Sequence, residues 1–268
     1  MTMEAQMRAG EPSETARRVA TYRLRFPRAP ASLGDPAADD RLQADIAAAR
    51  QPRTTGLTDY LSRRTAFFDH TVVDAIEDGI AQIVVVGAGY DARALRYAKP
   101  GVDWFELDHP DTQADKRSRL ERLGIGAAGV TFVGMDFAQV DVGAALRHAG
   151  HDRGRVSLFV CEGVAGYLSY EVLRSLLAAL SRCAAAGSRL AISIPLQPTS
   201  SRGQAGRAAL ATAVAQVGEP LVTALRRAQL ATLLETTGWT EVRVADPSGA
   251  TLDGDAGGAA FVIAEPAG

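Results

Sequence analysis

Cysteine is scarce in this chain of 268 residues: there are two, Cys161 and Cys183, and no CxxC spacing. A disulfide framework is therefore not expected, and a reducing compartment fits best. Histidine is scarce too, with four in all. His148 and His151 stand close together, but amid Gly, Asp and Arg, and read as an exposed loop. A metal site would need a third and a fourth ligand, so none is expected. Charge of one sign is lacking as well. The formal net charge is −2, which gives no general attraction for nucleic acid or an anionic membrane. The basic clusters Arg23-Leu24-Arg25 and Lys116-Arg117-Ser118-Arg119 read as solvated faces. No apolar run is long enough to cross a bilayer, and the opening MTMEAQMRAGEPSE has no apolar signal core. The expectation is a cytoplasmic monomer or homodimer, without nucleic-acid or membrane partners.

What is present is apolar residue, 47% of the chain, enough for one large α/β domain with a lid. Helices are expected from Ser13 onward, over 40–50 and over 57–78, with Pro27, Pro30 and Pro36 breaking the chain between them. Strands then alternate with helices: strands at 83–86, 103–107, 130–133, 157–161 and 189–194. Helices are expected at 92–97, 112–124, 142–149 and 170–187. Such alternation predicts a doubly wound parallel sheet, with strands apolar on both faces. Segment 197–225 breaks the rhythm and reads as a lid insertion, polar and Gly-rich, then helical. A helix at 228–237 precedes strands at 240–245 and 259–264. No helix separates those two, so they should pair antiparallel. A mostly parallel sheet with an antiparallel C-terminal hairpin is the Rossmann-like arrangement of class I methyltransferases. The expected division is a helical cap over 1–78, with 1–12 disordered, and an α/β core over 79–268.

The stretch IVVVGAGYDARALRYAKPGVDWFELDHP begins at Ile83. Gly87 and Gly89 follow the first strand, where the backbone must turn tightly and let a ligand approach. Asp108 ends the second strand, about twenty residues on, where a carboxylate can accept both hydroxyls of a ribose. Residues 87–92 also satisfy a relaxed dinucleotide fingerprint, so the turn alone leaves the cofactor open. A turn that merely joins strand to helix is the bland alternative, and the acid at 108 disfavours it. VTFVGMDF places Asp136 and Phe137 past the third strand. An acid there can accept the adenine amino group, and the next backbone N–H can reach a ring nitrogen. An N-cap for the following helix is the competing reading of Asp136. Glu162, in CEGVAGYL, ends a buried strand and needs a partner. Acids on three neighbouring strand tips suit a ligand with a sulfonium and an amino group, and would repel a pyrophosphate.

With these residues the chain resembles the leucine carboxyl methyltransferase family, in its bacterial branch, which includes polyketide carboxyl O-methyltransferases. The matching stretches are RRTAFFDH, VVVGAGYDARALRY, WFELDHPDTQADKRSRL, FVGMDF, CEGVAGYL and a GEP at residues 218–220. The resemblance implies S-adenosylmethionine as cofactor. It implies that Arg64 grips the methionine carboxylate, and that Gly87 and Gly89 pass beside the methionine. Asp108 would hold the ribose, Asp136 and Phe137 the adenine, and Glu162 would lie near the amino group. Asp91 and Arg93 would brace the turn by pairing. Val164, Ala165 and Gly166 stand where the family often has Leu or Met, which suggests a roomier acceptor pocket lined by Val164 and Tyr167. A second family arginine is replaced by Ala66.

The function expected is O-methylation of a small-molecule or peptide carboxylate, in secondary-metabolite tailoring. A carboxylate is already ionised near neutral pH, so alignment and exclusion of water would suffice. A hydroxyl acceptor would want a base. His109 is the histidine nearest a ligand-bearing tip, although a solvent-facing helix start is the blander reading. The rivals are methylation of a hydroxyl or nitrogen, an NAD(P)-dependent oxidoreductase, and a binding module without turnover.

Overall fold

A computed structural model describes residues 10–30, 32–48, 57–252 and 257–268. The expectations for residues 1–9 and for the helix end at 49–50 lie outside the described residues.

Seven strands form one sheet in the order β3-β2-β1-β4-β5-β7-β6. They are β1 (Gln82–Val86), β2 (Asp103–Asp108), β3 (Val130–Gly134), β4 (Ser157–Cys161), β5 (Arg189–Leu196), β6 (Trp239–Ala245) and β7 (Gly258–Pro266). The first five run parallel, while β7 is inserted antiparallel between β5 and β6. This is the class I methyltransferase arrangement expected from the sequence. Chain reversal at β1 carries the glycine turn to the carboxyl edge, where ligands bind in such sheets.

The helices are α1 (Glu14–Arg23), α2 (Pro36–Ala48), α3 (Leu57–Glu77), α4 (Arg93–Arg96), α5 (Pro110–Arg122), α6 (Val142–His148), α7 (Tyr170–Cys183), α8 (Ser201–Ala215) and α9 (Arg227–Thr236). Pro36 opens α2 rather than only breaking the chain, because the first helical turn has no use for its missing N–H. α7 shows why such segments are helical. Leu173, Leu176, Leu177 and Leu180 make one apolar stripe and are buried, each worth about 1.5–3 kcal/mol relative to exposure. Ser169 caps its start by accepting the Val172 N–H.

Alternation along the strands splits the core in two. Val84, Val86, Phe105, Leu107, Phe159, Cys161 and Ile192 face α6, α7 and α9. Ile83, Val85, Trp104, Leu158, Val160 and Ala191 face Phe68, Val72, Ala75 and Ile76 of α3. Helix α3, which the sequence reading assigned to the cap, thus packs directly on the sheet. α1 and α2 build a third cluster with Tyr90, Leu95 and Leu120.

Three expectations are corrected. β3 is an edge strand with partly exposed residues, so two-sided burial holds for the inner parallel strands and not for this one. His151 is not in an exposed loop: it is 6% exposed, its Nε2 lies 3.0 Å from Ser157 Oγ, and Phe105 and Phe159 flank its ring. The basic clusters are not simply solvated, since Arg23 and Lys116 are both buried in ion pairs.

Candidate active site

Gly87 and Gly89 have φ of 65° and 52°, the left-handed region that favours glycine. The N–H groups of Gly87 and Ala88 donate to the carbonyl of Leu107, at 2.8 and 3.1 Å, so the turn is tied to the end of β2. Both glycines are also crowded. A Cβ on Gly87 would stand 2.8 Å from Val164 Cγ2, and one on Gly89 would stand 2.9 Å from Ala16 Cβ.

Asp108 lies directly beneath the turn. One carboxylate oxygen accepts the Gly89 N–H at 2.5 Å and the other the His109 N–H at 2.6 Å. Burial pushes its carboxyl above the usual range, against the opposing pull of those N–H groups. A carboxylate has about four acceptor positions, and two bonds leave the rest available. His109 is the N-cap of α5, its Nδ1 accepting the Asp111 N–H at 3.4 Å.

Glu162 has the partner that its burial demanded, three times over. Arg93 Nη1 donates to Oε2 at 2.6 Å, Arg23 Nη2 to the same oxygen at 3.1 Å, and Arg64 Nε to Oε1 at 3.0 Å. Burial alone would raise its carboxyl, but Arg93, Arg23 and Arg64 together hold it far below the usual range. Its negative charge is therefore already matched by protein cations. Arg93 also pairs with Asp91 and with Asp69, the latter at 2.7 Å. Arg28 joins Asp69 to Asp39, at 2.6 and 2.8 Å. A buried ionic chain thus links α1, α2, α3, α4 and the tip of β4.

The remaining candidates are spread around this centre. Arg64 lies against Gly163, where a Cβ would meet its Nη1 at 2.8 Å. Tyr60 stacks under its guanidinium, with 5.5 Å from Cζ to the ring centre. Tyr167 is half-buried beside Arg64 and Thr15, and burial raises its phenol above the usual value. Asp136 is half-buried and engaged locally: Oδ1 accepts the Ala138 N–H at 2.9 Å, and Oδ2 accepts Gln139 Nε2 at 2.8 Å. The N-cap of α6 is Asp141, not Asp136. Phe137 is half-buried and packs against the core on the α6, α7 and α9 side of the sheet. The strip 164–166 is closely surrounded. Val164 fills the space over Gly87, Ala165 is in the core, and Gly166 is closed by Leu221 and Pro195.

Arg23 and Glu219 were missed in the sequence. Arg23 carries a usable signal: Ala16, Ala20 and Arg23 lie on one face of α1, where Ala20 and Arg23 are buried and Ala16 is half-buried. Glu219 belongs to the GEP motif, but its partners are about two hundred residues away.

Known proteins resemble this chain in sequence and in fold. A candidate S-adenosyl-L-methionine-dependent methyltransferase of Mycobacterium marinum is 39% identical over 145 residues, which is 53% of this chain and 46% of that protein. The chain thus spans about half the length of the curated relatives it matches. A candidate methyltransferase from Thermobifida fusca superimposes with a TM-score of 0.63 at 17% identity, covering 97% of each chain. A DUF574-family protein from Streptomyces avermitilis gives 0.61 at 16% identity, covering 96% of this chain and 98% of that one. At such identities the two structures show a shared fold. Because the profile of the leucine carboxyl methyltransferase family matches residues 2–181, the chain belongs to that family.

Proposed function

We propose that the protein is an S-adenosylmethionine-dependent O-methyltransferase that forms a methyl ester on a carboxylate of a small molecule or peptide. The observation that carries the reading is Asp108. Its carboxylate is buried beside the glycine turn and, among the described residues, accepts hydrogen bonds from two backbone N–H groups, at 2.5 and 2.6 Å, with acceptor positions to spare. A ribose diol supplies the donors such a group calls for. The parallel strands and the antiparallel β7 favour this cofactor over a dinucleotide, whose usual sheet has six parallel strands.

When bound, the cofactor supplies a methyl group already activated on sulfur. The chain's own residues would do the rest. Asp108 would orient the ribose, and Asp136 and Phe137 the adenine. The Arg64 guanidinium, braced by Glu162 and Tyr60, would grip the methionine carboxylate. Glu162, already matched by arginines, would act by holding Arg64 and Arg23 in place as much as by meeting the amino group. Val164 and Tyr167 would border the acceptor. A carboxylate acceptor needs no proton removed near neutral pH, so His109 can remain a helix cap.

Calorimetric titration with S-adenosylhomocysteine and NADH tests the cofactor, with binding of the first alone expected. Acceptor screening with methyl-labelled donor tests the ester: the labelled product should be cleaved by mild base. A base-stable product would point to an ether or an amine, and NADH binding alone would remove the proposal altogether.

A further inference from the structure

Segment 219–223 ties together two parts of the candidate site that are far apart in sequence. At one end the Glu219 carboxylate gathers the donors at the start of α1. Its Oε1 accepts the N–H groups of Glu14 and Thr15, at 2.6 and 3.2 Å. Its Oε2 accepts the hydroxyls of Ser13, at 3.0 Å, and Thr15. At the other end the N–H groups of Val222 and Thr223 donate to the Gly166 carbonyl, at 2.8 and 3.2 Å. The Thr223 hydroxyl donates to the Leu168 carbonyl at 2.5 Å. One end of the strap is therefore anchored at the tip of β4, and the other holds the first turn of α1.

α1 in turn covers the glycine turn. Ala16 sits over Gly89, Arg17 reaches the Tyr90 hydroxyl at 3.2 Å and Asp115 at 3.2 Å, and Arg23 reaches Glu162. Beneath it Asp108 and Glu162 are only 8% and 9% exposed. Asp108 is bonded to the Gly89 N–H, and Gly89 is the residue that Ala16 of α1 covers. Beside this end of the helix a cavity of about 270 Å³ opens, lined by Pro12, Glu14, Arg17, Gln216, Val217 and Glu219 among others. A carboxylate at a helix N-terminus is favoured by the unpaired N–H groups there. Four donors of the first turn thus share one carboxylate.

We infer that Glu219 is the latch of this cover: a positioning residue that holds α1 over the site and sets how fast cofactor enters and leaves. The inference rests on the cofactor reading above. Glu219→Gln keeps the size but turns an amide NH₂ toward groups that donate. Hydrogen exchange followed by mass spectrometry should show the amides of α1 exchanging at least tenfold faster, with α7 and β5 unchanged. Stopped-flow measurement with S-adenosylhomocysteine should show association and dissociation both accelerated threefold or more. Unchanged exchange in α1 would show that the carboxylate does not hold the helix. Faster exchange with unchanged ligand rates would reduce the contact to a structural one. Should Glu219→Gln fail to fold, Glu219→Asp, one methylene short of its donors, is read in the same two ways. Lack of S-adenosylhomocysteine binding by the unaltered protein would remove the cofactor reading and the gating with it, while the exchange measurement still decides whether the latch holds α1.

Discussion

Arg93 Nη1 lies 2.6 Å from Glu162 Oε2, and neither side chain is more than 3% exposed. The pair joins the start of α4 to the tip of β4, and Arg93 holds Asp69 and Asp91 as well. Buried ion pairs contribute little net stability when whole, yet breaking one strands a charge. Arg93→Met would take one buried cation from three carboxylates, leaving, among the described residues, Glu162 with Arg23 and Arg64, Asp69 with Arg28, and Asp91 with Arg23 alone. The expected loss is at least about 3–5 kcal/mol, read as a lower midpoint in urea unfolding, and an unchanged midpoint would contradict the network.

The same network makes the fold acid-sensitive. For Glu162, Asp69 and Asp91 burial acts to raise the carboxyl, but the arginines win and the folded-state values are lowered. Their stabilisation is fully present above the unfolded values, about 3.9 for Asp and 4.3 for Glu, and is lost as pH falls toward the folded ones. Asp108 and Glu106 are raised by burial and act in the opposite sense, losing stability as pH rises through their folded values. His151 is lowered by burial, so its share begins to go below about pH 6.5. Melting temperature should therefore drop steeply below about pH 4. Glu162→Gln should flatten that limb in scans across pH 2.5 to 7, and an equally steep limb would refute the assignment.

Gly89→Ala tests the fit of α1 on the turn. The residue has φ of 52°, and the new Cβ would lie 2.9 Å from Ala16 Cβ. Left-handed backbone costs a residue with a Cβ about 1–2 kcal/mol, and α1 must also shift. The melting temperature should fall by several degrees, and trypsin should cut more readily at Arg17 and Arg18. Unaltered cleavage would mean that α1 does not rest on the turn.

Asp108→Asn separates binding from folding. Asparagine keeps one acceptor for the two backbone N–H groups and removes a buried charge that burial disfavours. Stability should stay within about 1 kcal/mol, since the lost bond and the relieved desolvation oppose each other. Affinity for S-adenosylhomocysteine should fall tenfold or more by calorimetry. Equal affinity would remove Asp108 from the ribose role.

The sheet was largely legible because each inner strand is a short apolar run closed by a turn residue, and periodicity reports that directly. The stretch DPSGATLDGDAGG, which carries no helical pattern, likewise announced the antiparallel pairing of β6 and β7. Edge position was not legible: β3 reads VTFVG, apolar enough for an inner strand, and which strand lacks a neighbour is a fact of topology. Among the site residues, the glycines and Asp108 were legible because local geometry dictates them. The partners of Glu162 were not. A buried acid announces that it needs a cation, but Arg23, Arg64 and Arg93 come from three separate helices. Glu219 lay further out of reach, because a loop carboxylate gives no sign of the helix it will cap.

The placing of β7 between β5 and β6 has a consequence for how the chain is made. Among the described strands, Trp239–Ala245 pairs with β7 alone. On leaving the ribosome it has no ladder to join until Gly258–Pro266 has followed and docked on β5. For that interval an apolar strand, with Trp239, Val242 and Val244 along it, waits unpaired. Vulnerability to misassembly during synthesis should concentrate in this corner of the sheet, at the opposite edge from β3.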